Sequence, residues 1–185
     1  MRRIIASLFV SLDGVVEAPQ EWNPPYFDEE MGTEVGKAMM SADAFLLGRR
    51  TYQEWAAFWP AQSPEENPMA GFINNAAKYV VSTTLESADW TNSTVIDGDV
   101  GTEVPKLKQQ AGQDIIVSGS ATLARSLLRE GLVDELRLLL HPVVVGRGQR
   151  LFDEAGDRKG LELIDSHALG TGVVSLAYRP IREST

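Results

Sequence analysis

The chain has 185 residues, a formal net charge of −9, 43% hydrophobic residues and no cysteine. That length builds one good-sized core, and no linker composition divides it, so residues 1–185 read as a single domain. The acidic balance argues against nucleic acid or an anionic membrane surface as a partner, and the missing cysteines exclude a disulfide framework, a thiolate nucleophile and a cysteine metal site.

The N-terminus, Met1 to Ala6, starts basic, but its apolar run is broken by Ser7, Ser11 and Asp13. It is too short for a signal peptide or a membrane span, and the expected location is cytoplasmic. Ile4 to Leu12 is a strongly apolar run ending at the turn signal Asp13-Gly14, and it reads as a buried strand. Pro19 to Pro25 is an irregular loop carrying Trp22. Asp28 to Ser41 reads as a helix: Phe27, Met31, Val35 and Met39 recur at helical spacing, and acids crowd its first turn, with Asp28 a plausible N-cap. Ala44 to Leu47 follows as a short strand, then Thr51 to Phe58 as a helix, and Pro60 to Pro68 as a surface loop. Lys78 to Ser82 is a third strand with Lys78 as its polar entry, and Ser93 to Ile96 a short fourth.

Val104 to Ala111 reads as a short helix, Asp114 to Ser118 as a strand, and Ala121 to Glu130 as a helix closed by Gly131. Val133 to Leu140 is a long strand, apolar enough to pair across a homodimer, and Pro142 to Phe152 a glycine-rich loop. Two more strands, Leu161 to Ala168 and Val173 to Arg179, flank Gly170-Thr171-Gly172 with the spacing of an antiparallel hairpin. Strands alternating with helices imply parallel pairing with crossovers, so the class is α/β with a mixed, mostly parallel sheet.

Three strand exits carry candidate chemistry. Gly48-Arg49-Arg50-Thr51 combines close backbone approach, forked guanidinium donors and a helix start, which suits an anionic cofactor; the alternative is a surface turn with solvated arginines. Ser118-Gly119-Ser120-Ala121-Thr122 places small residues at a strand's C-terminal end, where open α/β sheets hold ligands, although Ser120 also suits a plain N-cap. Ser82 and Thr83 end the third strand in hydroxyls that either hold a phosphate or ribose or cap a turn. None of these matches a Rossmann fingerprint or a P-loop. His141 and His167 lie far apart and lack metal spacing, so no metal site is expected.

Together with Ser11 to Gly14, Gly131 to Leu136, Pro142 to Gly148 and Leu151-Phe152, these blocks resemble the dihydrofolate reductase superfamily. More narrowly, they are similar to its branch containing the reductase domain of bacterial riboflavin biosynthesis. The resemblance implies a three-layer sandwich closed by the antiparallel hairpin. It further implies NADPH as cofactor, with Gly48, Arg49, Arg50 and Thr51 along its phosphates. Ser82 and Thr83 would flank its adenosine end, and the block Gly119, Ser120, Ala121 and Thr122 would approach its nicotinamide half. The paired glycines of the family stand here as Gly119-Ser120, and the peptide between them is often cis in the family. Folate-reducing relatives carry one acid on the first helix; here Asp28, Glu29, Glu30 and Glu34 compete for that place. Asp13, Asp28 and Glu30 are the candidate catalytic carboxyls, each with an ordinary structural role available. Arg147 and Arg150 either meet a phosphorylated substrate or are solvated. The implied activity is hydride transfer to a pterin- or pyrimidine-like heterocycle, and the alternative is a non-catalytic, dimeric nucleotide-binding module.

Overall fold

The computed structural model describes residues 1–152 and 158–181. Its strands are β1 (Ile4–Ser11), β2 (Ala42–Gly48), β3 (Ala77–Val81), β4 (Ser93–Ile96), β5 (Asp114–Ser118), β6 (Glu135–His141), β7 (Leu161–Ala168) and β8 (Val174–Pro180). They form one sheet in the order β4-β3-β2-β5-β1-β6-β8-β7. Strands β1 to β6 run parallel, while β8 is antiparallel to β6 and β7 to β8. This is the mixed α/β sheet with a closing hairpin that the element pattern implies.

Helices α1 (Glu29–Met40), α2 (Arg49–Phe58), α3 (Pro68–Asn75), α4 (Val100–Gln109) and α5 (Ala121–Arg129) cover the sheet. Alternating side chains of a strand face opposite ways, and β2 shows the consequence. Phe45 and Leu47 join Tyr52, Trp55 and Ile73 of α2 and α3, whereas Ala44 and Leu46 join Val104, Leu107, Ala124 and Leu127 of α4 and α5. Met31 and Val35 of α1 close a third cluster with Phe9, Leu139, Leu169 and Val173. The result is a three-layer sandwich. Strands covered on both faces need unbroken apolar runs rather than alternation, which is why Ile4 to Ala6 and Ile115 to Val117 are so legible in the sequence.

Most element boundaries shift by one or two residues from the sequence reading, and three differences bear on the fold. Residues 68–75 form a helix, α3, which Asn67 caps through its side chain while Pro68 occupies the first turn; both are helix-start signals that the proline-rich surroundings disguise. Helix α4 begins at Val100, not Val104, because Asp99 accepts from Thr102 N, and Pro105 is carried inside the helix. Strand β6 begins at Glu135 and is not available for pairing across a dimer. It is hydrogen-bonded to β1 on one side and β8 on the other, so the sheet's edges are β4 and β7. Among the described residues no helix is long and apolar enough to cross a membrane.

Candidate active site

Parallel strands send all their C-terminal ends to one rim of the sheet, and the exits of β1, β2, β5 and β6 meet there around a cleft of about 590 Å³. Its walls are Glu17, Trp22 and neighbours from the loop after β1, Arg50, Thr51, Glu54 and Trp55 from α2, Gly119 and Ala121 from the β5–α5 junction, and Val145, Arg147, Gly148 and Gln149 after β6. A depression of about 700 Å³ lies at the opposite rim, lined by Met1, Arg129 and Lys159 among others. That rim carries the entries of the parallel strands, with the exit of the antiparallel β8, and none of the candidate residues reaches it.

The β2–α2 and β5–α5 junctions are stitched together by one hydroxyl. Ser120 Oγ accepts from Gly48 N at 2.9 Å and donates to Thr51 Oγ1 at 2.9 Å. The approach demands small residues: a Cβ on Gly48 would lie 3.4 Å from Ser120 Oγ, and one on Gly119 would lie 3.2 Å from Thr51 Cγ2. Gly119 also adopts φ +66°, and the Gly119–Ser120 peptide is trans. Ser120 sits at the N-cap of α5 but does not cap it, because its hydroxyl is spent on the neighbouring junction. Gly48 at the start of α2 has no side chain to cap with. By contrast Asp28, Asn67 and Asp99 cap α1, α3 and α4 through their side chains. The two helices whose first-turn N–H groups lack a side-chain cap are therefore the two that open on the cleft. Such N-termini attract anions through oriented donors and the helix dipole.

Of the candidate binding residues, Arg50, Thr51, Gly119 and Ala121 line the cleft, and Gly48 and Ser120 lie directly behind it. Arg49 is exposed and absent from the lining. Ser82 takes the turn-capping alternative, accepting from Thr84 N and Leu85 N, with Thr83 exposed beside it. Thr122 is exposed and accepts from Gln149 Nε2, a link between α5 and the loop after β6. Arg147 joins Arg50 in the lining, whereas Arg150 donates to the Asp13 carbonyl.

None of the three candidate carboxyls lines the cleft. Asp13 accepts from the Ser11 hydroxyl and from the Val145 and Gly146 amides, and these bonds hold its pKa down at about 2. Ionised at neutral pH, it clamps the loop after β6 to the loop after β1. Asp28 is the N-cap of α1, accepting from Met31 N. Glu30 accepts from Gly170 N at the tip of the β7–β8 hairpin. Glu34 binds Ser175 and Lys37; burial resists its ionisation, but the Ser175 and Lys37 hydrogen bonds prevail and lower its pKa. Among the described residues no cluster of metal-ligating side chains forms.

Sequence reasoning missed Glu17 and Trp55, which carry no motif of their own, and the setting of His141. That imidazole is fully buried within edge-on contacts to Phe9, Trp22 and Tyr26, at centroid distances of 5.7, 5.1 and 5.6 Å. Its Nδ1–H donates to the Leu139 carbonyl at 2.8 Å, and Nε2 has no partner among the described residues. Burial pushes its pKa below the usual value of 6.5. As pH falls below about 6.5 the unfolded histidine takes up a proton that the folded one refuses, so stability falls with acidification. The thermal midpoint of the wild type is expected to drop between pH 7.5 and 5.5 by more than that of His141→Phe; parallel profiles in differential scanning calorimetry would refute this.

The RibD C-terminal domain family matches residues 2–175. The chain belongs to that family. It is 34% identical over 180 residues to the uncharacterized protein YyaP of Bacillus subtilis, covering 96% of this chain and 94% of that one. Among solved structures it is similar to a diaminohydroxyphosphoribosylaminopyrimidine deaminase/5-amino-6-(5-phosphoribosylamino)uracil reductase of Thermotoga maritima, with TM-score 0.69, 12% identity, and coverage of 97% of this chain and 57% of that. It is likewise similar to a dihydrofolate reductase of Enterococcus faecalis complexed with NADP(H), with TM-score 0.61, 13% identity and 96% coverage of both chains. At these identities the two structures show the fold alone, and that fold is dihydrofolate-reductase-like.

Proposed function

We propose that the chain is an NADPH-dependent reductase that transfers hydride to a pterin- or pyrimidine-like heterocycle. The observation carrying this reading is the pairing of two helix N-termini without side-chain caps on one cleft, cross-linked by Ser120 and flanked by Arg50 and Arg147. Family membership and the reductase neighbours support the same chemistry.

The residues present fit a dinucleotide. First-turn amides of α2 and α5 would meet its phosphates, with Arg50 and Arg147 adding charge-assisted donors, and Gly119 lets the bound group approach the backbone closely. When bound, that cofactor supplies the hydride, while the protein supplies orientation and electrostatics. Trp22 and Trp55 offer flat apolar walls for a planar ring. Asp13, ionised at neutral pH and bonded to the Val145 and Gly146 amides, holds no proton to deliver.

Calorimetry should detect NADPH binding, and Arg50→Ala and Arg147→Ala should each weaken it roughly tenfold, the loss of one hydrogen bond to a charged group. No detectable affinity, or affinity untouched by both truncations, would overturn the reading. Because none of the three candidate carboxyls lines the cleft and each is held by a structural hydrogen bond, a binding module without turnover is the second reading. NADPH oxidation monitored against a panel of pterins and aminopyrimidines separates the two.

A further inference from the structure

The cleft's charge is at odds with the ligand it is proposed to hold. Its lining carries three carboxylates, Glu17, Glu21 and Glu54, against two guanidinium groups, Arg50 and Arg147. The contacts of Arg50 sharpen the point. Glu17 Oε1 stands 3.6 Å from one of its terminal nitrogens, and Glu54 Oε1 stands 3.4 Å from its Nε. The guanidinium on the cleft wall, 77% exposed, thus already has two carboxylates within ion-pair distance.

The two acids are not equivalent. Glu54 lies one turn along α2, and its side chain is 64% exposed, so the pair is an ordinary solvated one. Glu17 is 38% exposed and held in place by the fold. Its second oxygen accepts from Gln149 N at 2.9 Å, while its carbonyl accepts from the Trp22 indole N–H at 3.0 Å. The neighbouring Val16 N donates to the Gln149 carbonyl at 2.9 Å. The loop after β6 makes room for this carboxylate with a glycine. Gly148 has φ +108°, and a Cβ there would lie 3.2 Å from Glu17 Oε2 and 3.1 Å from Val15 Cγ1. A fixed anion is therefore built into the rim, with one oxygen tied to the backbone and the other turned to Arg50.

We infer that Glu17 is a specificity-determining residue: an internal carboxylate that occupies Arg50 until a more highly charged phosphate displaces it. The inference rests on the proposed dinucleotide site. A single carboxylate or other monoanion gains little by exchanging with Glu17, whereas a dianionic phosphate draws both the guanidinium and the open helix termini. Glu17 thereby lowers affinity for anions in general and leaves selectivity for phosphate.

Titration calorimetry of NADPH, with acetate as the monoanionic probe, tests this on the whole protein. Glu17→Gln keeps an oxygen for Gln149 N and removes the charge, so NADPH should bind roughly tenfold tighter at low salt, with the gap narrowing as ionic strength screens the lost repulsion. Glu17→Asp, which withdraws the carboxylate from Arg50, should shift affinity the same way by a smaller factor and guards against a folding defect in the first variant. Glu54→Gln, which removes the more exposed carboxylate, should tighten binding by a smaller factor than Glu17→Gln. Acetate, undetectable against the wild type, should compete measurably with NADPH only in Glu17→Gln. Equal or weaker NADPH binding by both folded Glu17 variants would overturn the inference while leaving the cofactor reading intact. If neither wild type nor variants bind NADPH, that reading falls and this inference with it.

Discussion

Lys78→Ala is expected to destabilise the protein by about 3–5 kcal/mol, because it removes a buried cation that closes a helix and leaves its acceptors unpaired. The side chain has no exposed surface, and its amine donates to the Ile73, Asn74 and Ala76 carbonyls at 3.0, 2.8 and 2.8 Å. Those of Ile73 and Asn74 belong to the last turn of α3, which a helix cannot satisfy internally, and that of Ala76 belongs to its C-cap. The amine also stands 4.2 Å from the Trp90 ring centroid, where the ring face favours positive charge. Burial alone pushes the amine pKa down to about 8, so these acceptors are what make an ammonium tolerable there. Lys78→Met isolates them: it fills most of the volume but offers no donor, so its loss should fall between wild type and alanine variant. Urea denaturation of the three proteins decides it, and a cost below about 1 kcal/mol for both variants would show that relaxation or water replaces the bonds.

The consequences reach the cleft. Trp90, under the Lys78 amine, donates through its ring to Asn74 Oδ1 and through its backbone to the Tyr52 hydroxyl, each at 3.0 Å. Tyr52 follows Thr51 on α2, the residue tied to Ser120. The layer that seats α3 thus also sets where the first turn of α2 stands.

What could be read in advance follows from how local each determinant is. Doubly covered strands announce themselves as apolar runs, so β1, β5 and β6 are recognisable as strands without tertiary information, whereas their order in the sheet is not. Helix α3 is short, and its Asn67-Pro68 start lies inside a stretch that reads as loop on composition. The acids near α1 show the harder limit. Asp28 is legible as a cap because its partner is Met31, whereas Glu30 finds Gly170 and Glu34 finds Ser175 only after the hairpin folds back. Arg49 and Arg50 are neighbours of identical chemistry, and only the phase of α2 decides which one enters the cleft. Glu17 meets Gln149 across 132 positions, a pairing no window of sequence contains.

Gly119→Val should cost about 3 kcal/mol of stability and weaken NADPH binding roughly a hundredfold, because backbone and side chain are both disallowed there. A β-branched residue at φ +66° is a genuine outlier, and its Cβ would lie 3.2 Å from Thr51 Cγ2. Thr51 has no room to retreat, since its hydroxyl is held by Ser120, which in turn holds Gly48 N. The strain is relieved only by parting the two junctions, which spreads the two helix N-termini that a phosphate group would have to bridge. Gly119→Ala separates the contributions: the left-handed backbone alone costs about 1–2 kcal/mol. Its affinity should fall less than that of the valine variant, because a single methyl pushes Thr51 by only a few tenths of an ångström. Denaturant melts and NADPH calorimetry on both variants give the two axes. A folded valine variant that binds NADPH as the wild type does would mean that the junction between β5 and α5 is not where the dinucleotide sits.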